Sequence, residues 1–432
     1  MITVVLDDDP TGTQAAADVP VILDWHSREA WDTVRPDDKA VHLLTNSRAH
    51  DEWEAAQLVR SAAAAAHERF PGGRVVLRGD STLRAHVWEE YEALRSVIHP
   101  DRQDVPLLLV PALPDAGRVT IDGVHLLQRQ DGRVPLHLTE YAVDGEFAYT
   151  SAVLSRWAEE RSGGRLAAVD AATVGLDRLR APDGAQAVAH ALLTTSGLGR
   201  PAVVVPDAET ESDLRTIAEG LRAAEANATP AIVRSGPAFT ATLTGTRAST
   251  LARPRSTDRG ILILCGSFVS TSTLQMEQLS RSFPDVLVDA HVSALAGARW
   301  ESEIERVTTE ARLRLDRNGL VAVATERTRD AALADTASQR RIATGLAQVA
   351  RQLDAGVVIA KGGITSAVTA REGFGARAAR VVGPIRPGVS LWQLPDGRDY
   401  IVVPGNVGDP GLLVDLVTSV VPFLSQSSAA TC

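Results

Sequence analysis

Val4-Val5-Leu6-Asp7-Asp8-Asp9-Pro10-Thr11-Gly12-Thr13-Gln14 stands almost at the start of the chain, and the fold is decided by reading it as a strand that runs into a turn. An apolar run delivers three consecutive carboxylates to a tight, glycine-containing turn. In an open α/β sheet, ligands bind at the carboxyl ends of the strands, which is where this turn would lie. Neighbouring carboxylates repel each other and cost stability unless a cation or a hydroxyl-bearing ligand sits among them. A plainer account makes this a solvated turn with Asp9 or Thr11 as a helix N-cap. The functional account gains weight because strand-end turns of the same kind recur four more times.

Working outward, short β-rich runs alternate with helical ones. Strands are expected at Ile2–Leu6, Val19–Leu23, Val41–Thr45, Arg74–Leu77, Val105–Val110, Arg165–Val169, Ala202–Val205 and Ala231–Arg234. Amphipathic stretches such as Asp51–Phe70, Val87–Ile98 and Glu209–Ala224 lie between them. From about Gly236 to Arg259 the periodicity is lost, and Ser, Thr, Ala, Arg, Pro and Gly dominate. The rhythm restarts at Ile261–Leu264 and continues through Val286–Val288, Leu320–Ala324, Val357–Ala360, Arg380–Val382 and Ile401–Val403, with a closing helix over Leu412–Val421. Alternating βα units imply largely parallel sheets covered on both faces. The expected architecture is α/β: two domains, 1–236 and 260–432, joined by a linker at 237–259, with an active-site cleft between them.

Bulk composition narrows the function. A net charge of −10 leaves no global basic field for a nucleic-acid backbone or an anionic membrane. No apolar stretch approaches the roughly 18 residues of a membrane span, and no basic-plus-apolar leader precedes the first strand. The two cysteines, Cys265 and Cys432, cannot build a disulfide framework, which fits a reducing, cytoplasmic setting. Self-association into a homo-oligomer stays open.

In the first half, Arg78-Gly79-Asp80-Ser81-Thr82-Leu83-Arg84 again joins a strand to a helix. Arg78, Asp80, Ser81 and Arg84 offer two cations, a carboxylate and a hydroxyl, a mix suited to an acid sugar, with Arg for the carboxylate and Asp for hydroxyls. Arg118 is the cation of a Pro-stiffened loop, Pro111–Arg118, and Asp122-Gly123 reads as a structural hairpin turn. Thr45-Asn46-Ser47-Arg48 is a weaker polar strand end. His86 and His125 lie near these loops without a visible sequence partner.

In the second half, Gly266-Ser267, Lys361-Gly362-Gly363-Ile364-Thr365-Ser366 and Pro404-Gly405-Asn406-Val407-Gly408-Asp409 all follow strands. Glycines let backbone N–H groups approach phosphate oxygens, so three such turns in one domain suggest a nucleotide-phosphate site. Of the 44 Lys and Arg residues only Lys39 and Lys361 are Lys, and Lys361 directly precedes a Gly pair, a placement suited to a phosphate contact. The G-x-G-x-x-G fingerprint and the Gly-Lys-Ser/Thr loop are absent, which disfavours a dinucleotide oxidoreductase. No His/Cys clustering indicates a metal held by the protein itself.

Taken together, Asp8–Gln14, Asp80–Arg84, Pro114–Arg118, Lys361–Ser366 and Pro404–Asp409 resemble the four-carbon acid sugar kinases, in order and over essentially the whole chain. Ala85 stands where that family has Gly. The resemblance implies an N-terminal acid-sugar-binding domain, a C-terminal ATP-binding domain, and phosphorylation of erythronate, threonate or an oxo-tetronate with ATP and Mg²⁺. On it, Ser267, Gly362, Gly363, Ile364, Thr365 and Gly405 match ATP-contacting positions, with Lys361 adding charge at the phosphates. Asp8, Thr11, Ser81, Arg84 and Arg118 face the acid sugar. For the general base three carboxylates compete, Asp8, Asp9 and Asp80, and mutual repulsion within the Asp8-Asp9 pair could raise one of their pKa values. Asp9 or Asp80 is expected to be the catalytic one, with the other binding substrate hydroxyls, and Asp7 is expected to point toward the sheet or a buried partner. The alternative class is a non-catalytic sensor of sugar acid or nucleotide.

Overall fold

The structure, a computed structural model, describes residues 1–129, 131–143, 145–255, 257–326 and 336–420. Cys432 and Val421, the last residue of the closing helix expected from sequence, lie outside the described residues. The chain divides into two compact units: Met1–Arg28 with Val34–Arg247, and Glu29–Thr33 with the chain from Ala248 onward.

The first unit contains β1 (Thr3–Asp7), β2 (Val19–Ile22), β3 (Ala40–Leu44), β4 (Arg74–Arg78), β5 (Leu107–Val110), β6 (Arg118–Ile121), β7 (Val124–Arg129), β8 (Gly132–Pro135), β9 (Ala172–Val174), β10 (Val203–Pro206) and β11 (Ile232–Ser235). Its main sheet runs β2-β3-β1-β4-β11-β5-β10-β9, with every neighbouring pair parallel. Strands β1, β3, β5, β10 and β11 are buried along their whole length, which is why they read as unbroken apolar runs rather than alternating ones. The helices are α1 (Glu52–Arg69), α2 (Val87–Ile98), α3 (Leu154–Arg161), α4 (Leu176–Leu179), α5 (Gly184–Ser196), α6 (Glu211–Ala226) and α7 (Pro237–Thr244). Asp51 caps α1 through the Glu54 amide, and a Thr210–Asp213 capping box starts α6. Val5, Val76, Leu108 and Val204 of the sheet pack with Leu192, Leu214, Ile217 and Phe239 from α5, α6 and α7.

Three departures from the sequence expectation have physical causes. Arg165–Val169 is not a strand: Val169 is 90% exposed, a short 3₁₀ turn covers Ala168–Asp170, and the edge strand is β9 instead. The aperiodic stretch after Gly236 begins with a helix, α7, opened by Pro237 in its first turn and stopped by Gly245 in the left-handed region. The hairpin at Asp122-Gly123 is present, both residues having positive φ as a type I′ turn requires, but it belongs to a separate antiparallel sheet, β6-β7-β8.

The second unit contains β12 (Ile261–Cys265), β13 (Leu287–Ala290), β14 (Leu320–Thr325), β15 (Val357–Lys361), β16 (Ala378–Arg386), β17 (Val389–Gln393) and β18 (Asp399–Val403). Its order is β13-β14-β12-β15-β18-β17-β16, parallel from β13 to β18 and antiparallel beyond. Strand β17 escaped the sequence reading although Pro387-Gly388 is a two-residue turn, flanked by the paired Arg386 and Val389. The helices are α8 (Ser270–Ser282), α9 (Val292–Ala296), α10 (Trp300–Asn318), α11 (Thr336–Arg351), α12 (Gly363–Val368) and α13 (Leu412–Val420). Ile263, Ile359, Ile401, Leu279, Leu413 and Leu416 share one core. Among the described residues no helix is long and apolar enough to cross a membrane.

Candidate active site

Because β3, β1 and β4 are adjacent and parallel, the turns that follow them share one sheet edge. Asp7, at the end of β1, is wholly buried: Arg78 Nε donates to its Oδ1 at 2.6 Å, and His42 Nδ1 lies 2.7 Å from Oδ2. Burial alone would raise this carboxyl, but Arg78 and His42 together hold it below the usual carboxylate range. Asp7 is therefore a structural partner of the sheet, as its position on the strand implies.

Asp9 is the N-cap of a 3₁₀ turn over Pro10–Ala15 and accepts from the Thr11 amide at 2.8 Å. Its other oxygen meets Arg48 Nη2 at 2.6 Å. Against the cost of burial, Arg48 and Arg78 keep the Asp9 carboxyl low. Thr11 thus serves this carboxylate through its backbone. Asp80 accepts from Arg84 Nε at 2.6 Å and from the Thr82 hydroxyl, with Arg48 Nη1 at 3.5 Å. Burial again opposes ionisation, and Arg84 and Arg48 overcome it, leaving Asp80 well below the ordinary value.

Asp8 behaves differently. It is 2% exposed, and neither carboxylate oxygen has a hydrogen-bond partner. Arg78 Nη2 stands 3.2 Å from Oδ1 and Arg48 Nη1 4.0 Å from Oδ2. Burial pushes its carboxyl up to about 6, opposed by Arg48 and Arg78 and assisted by Glu90 and Asp9.

Arg118, at the start of β6, donates from Nη1 to Ser81 Oγ at 3.1 Å and sits over the Tyr141 ring, while its buried Nε has no hydrogen-bond partner. His125 lies beneath the Ser81 loop: Nε2 donates to the Ser81 carbonyl at 2.9 Å and Nδ1 accepts from the Thr120 hydroxyl at 3.0 Å. Burial lowers its pKa to about 4, so it is a neutral brace. His86 Nε2 is 2.9 Å from the His50 carbonyl, also a bracing contact.

The structure therefore gathers Asp8, Asp9, Asp80, Arg84, Ser81 and Arg118 in one unit, and it adds Arg48, which the sequence reading ranked low. Arg48 is the cation that Asp8, Asp9 and Asp80 share. Ser47, beside it, donates to Glu90 Oε1 at 2.5 Å, and Glu90 is in turn paired with Arg234. The available signal was the polar run directly after a buried strand; what the run lacked was any indication of which carboxylates it would meet.

In the second unit, the turns after β12, β15 and β18 also converge. A Cβ built at Gly405 would lie 2.6 Å from Ser267 Oγ, and one at Gly266 would collide with the Thr365 hydroxyl. Gly362 N donates to the Val403 carbonyl at 2.8 Å, and Ser272 Oγ to the Gly405 carbonyl at 3.0 Å. Thr365 is buried, and Ile364 packs on Ala343, Ala347 and Val368 beside Gly363 at the start of α12. Lys361 is wholly buried, and its Nζ donates to the Pro404 carbonyl at 2.9 Å. Burial lowers its pKa to about 8, with Cys265 opposing. Its ammonium thus braces the turn that carries Gly405. Among the described residues no three His, Cys, Asp or Glu side chains group as a metal cage.

Comparison with known proteins follows the same division. The family model described as a sugar-binding N-terminal domain matches residues 3–243, and one described as a nucleotide-binding C-terminal domain matches residues 262–413. A D-erythronate kinase from Heliobacterium modesticaldum is 31% identical over 327 residues, spanning 72% of this chain and 69% of that protein. Among solved structures, a Salmonella typhimurium LT2 protein provisionally labelled a tRNA synthase superposes with a TM-score of 0.69 at 20% identity, covering 99% of this chain and 100% of that one. A Haemophilus influenzae protein of the DUF1537 family gives 0.62 at 19% identity, covering 98% and 100%. At these identities the two structures establish the shared fold.

Proposed function

The chain belongs to the four-carbon acid sugar kinase family, and from that premise we propose that it transfers the γ-phosphoryl group of ATP to a terminal hydroxyl of a four-carbon acid sugar. Erythronate, threonate and 3-oxo-tetronate are the substrate class, and carbohydrate-acid catabolism is the setting. A dependence on ATP supports a cytoplasmic location.

The observation that carries this reading is the pairing of unmet needs in the first unit. Neither buried oxygen of Asp8 has a hydrogen-bond partner, and neither has the buried Nε of Arg118. An unmet buried polar group costs roughly 1–3 kcal/mol. A small hydroxy acid answers both needs, its hydroxyls donating to carboxylate and its carboxylate accepting from guanidinium. Arg118 and Arg84 are assigned to the substrate carboxylate, and Ser81, Thr11 and the strand-end aspartates to its hydroxyls. Asp9 and Asp80, their carboxyls held low by the neighbouring arginines, would fix orientation and field.

In the second unit, Ser267, Gly362, Gly363, Ile364, Thr365 and Gly405 are assigned to ATP. Mg²⁺ enters with ATP as part of the substrate, bridging its phosphates and needing few protein ligands. Phosphoryl transfer depends on positioning and charge neutralisation more than on covalent chemistry. Glycine turns and a guanidinium-rich cluster at the sugar-side strand ends suit that demand.

Coupled ADP release with Mg²⁺-ATP, surveyed over four-carbon and five-carbon sugar acids, tests the proposal. Turnover is expected with at least one tetronate. ATP binding without turnover of any acid would remove the kinase reading.

A further inference from the structure

The acceptor hydroxyl must lose its proton as the phosphoryl group arrives, and the strand-end turns hold four buried or nearly buried carboxylates, each a candidate receiver on charge alone. Occupancy separates them. Asp7 has one oxygen on Arg78 and the other against His42. Asp9 is committed to the Thr11 amide and to Arg48. Asp80 takes Arg84 and Thr82 on the same oxygen. Each is a hydrogen-bonded, strongly acidic group and hence a weak base.

Of these four, Asp8 alone joins a fixed backbone to a side chain with neither carboxylate oxygen in a hydrogen bond. Its amide donates to the Arg78 carbonyl at 3.2 Å, and its carbonyl accepts from the Arg48 amide at 3.4 Å. The side chain is held in place by its backbone, while both of its oxygens lack a hydrogen-bond partner. Resting on the kinase reading above, we infer that Asp8 is the general base of phosphoryl transfer. The hydroxyl proton passes to an Asp8 oxygen as the hydroxyl oxygen forms its bond to the γ-phosphorus. The bond from the γ-phosphorus to the β–γ bridging oxygen breaks, and its electron pair leaves on ADP. Asp8 then returns the proton to solvent, and nothing is oxidised or reduced.

The surrounding charges favour this role. Burial raises the Asp8 carboxyl, Arg48 from the turn after β3 and Arg78 from β4 oppose protonation, and Glu90 from α2 and the adjacent Asp9 promote it. The balance leaves the group ionised at neutral pH yet close enough to it to accept a proton, the condition under which general bases work best. Asp9 and Asp80, the pair expected from sequence, keep the roles of orientation and charge.

The test is the pH dependence of kcat for wild type, Asp8→Asn and Asp8→Glu with D-erythronate, threonate and Mg²⁺-ATP, with ATP binding measured by calorimetry as a check on folding. Wild-type kcat should fall about tenfold per pH unit below a limb near 6. Asp8→Asn should lower kcat by roughly a hundredfold or more, raise KM for the acid by a far smaller factor and abolish the limb; Asp8→Glu should recover part of the rate and the limb. A higher KM at unchanged kcat, or an Asp8→Asn limb still present near 6, would overturn the assignment. Should Asp8→Asn lose ATP binding, the wild-type profile decides, a flat kcat between pH 5 and 7 overturning it and a limb supporting it. Wild type without turnover of any acid overturns the kinase reading itself and the base with it.

Discussion

Arg48 Nη2 lies 2.6 Å from Asp9 Oδ2, joining the turn after β3 to the turn after β1. The same guanidinium reaches toward Asp8 and Asp80, so three carboxylates of the sugar-side cluster share one cation. Removing one partner of a buried pair leaves the other uncompensated, here Asp9, at a cost of about 3–5 kcal/mol. Arg48→Met should therefore destabilise the protein by about 3 kcal/mol in urea unfolding and lower kcat/KM for the acid at least a hundredfold. Arg48→Lys should fall between, since a point charge cannot span two turns. Wild-type stability and turnover in Arg48→Met would make the pair a bystander.

Asp8 gives a stability prediction with a definite sign. Its carboxyl is raised to about 6 in the fold against 3.8 ordinarily. The folded state therefore binds that proton more tightly than the unfolded chain. The associated stability is fully present below about pH 4 and is lost as pH rises through 6. Asp8→Asn removes the liability, so it should be more stable than wild type at pH 8 by about 1–3 kcal/mol, and equal to it near pH 4. Thermal melts across that range check this. A variant less stable at pH 8 would show that the buried carboxylate is held favourably.

Gly405 and Ser267 are so close that a methyl group at 405 must displace the Ser267 side chain. Gly405→Ala should weaken ATP binding at least tenfold while leaving acid-sugar binding, measured without nucleotide, within twofold of wild type. Equal losses of both would show a general unfolding effect rather than a damaged nucleotide turn.

Lys361 separates a brace from a phosphate contact. With Nζ on the Pro404 carbonyl, Lys361→Met should cost about 1 kcal/mol of stability and change ATP affinity less than tenfold. Direct loss of a charge-assisted phosphate contact would cost about 1.5–3 kcal/mol of binding, or roughly tenfold to a hundredfold in Kd. Calorimetric titration with ATP distinguishes the two.

How far the sequence could be read depended on whether a signal was local. Pro387-Gly388 and Pro237 with Gly245 were local signals for β17 and α7, obscured by the composition around them. Val169 shows the reverse case, an apolar residue that fits a strand pattern and yet is exposed because the edge strand forms a few residues later.

The sequence by itself determined the α/β rhythm, the parallel character of the buried strands and the glycine and aspartate turns at their ends. Apolar runs, caps and turn residues act over a few positions, and the chain writes them directly. Only the tertiary structure decided which carboxylate is left without a donor. That outcome depends on β3, β1 and β4 lying side by side, which brings Arg48 and Arg78 against three successive aspartates from residues far along the chain. Two guanidiniums satisfy Asp7 and Asp9 by hydrogen bonds and approach Asp8 without bonding it, a difference of ångströms that no spacing in the sequence encodes.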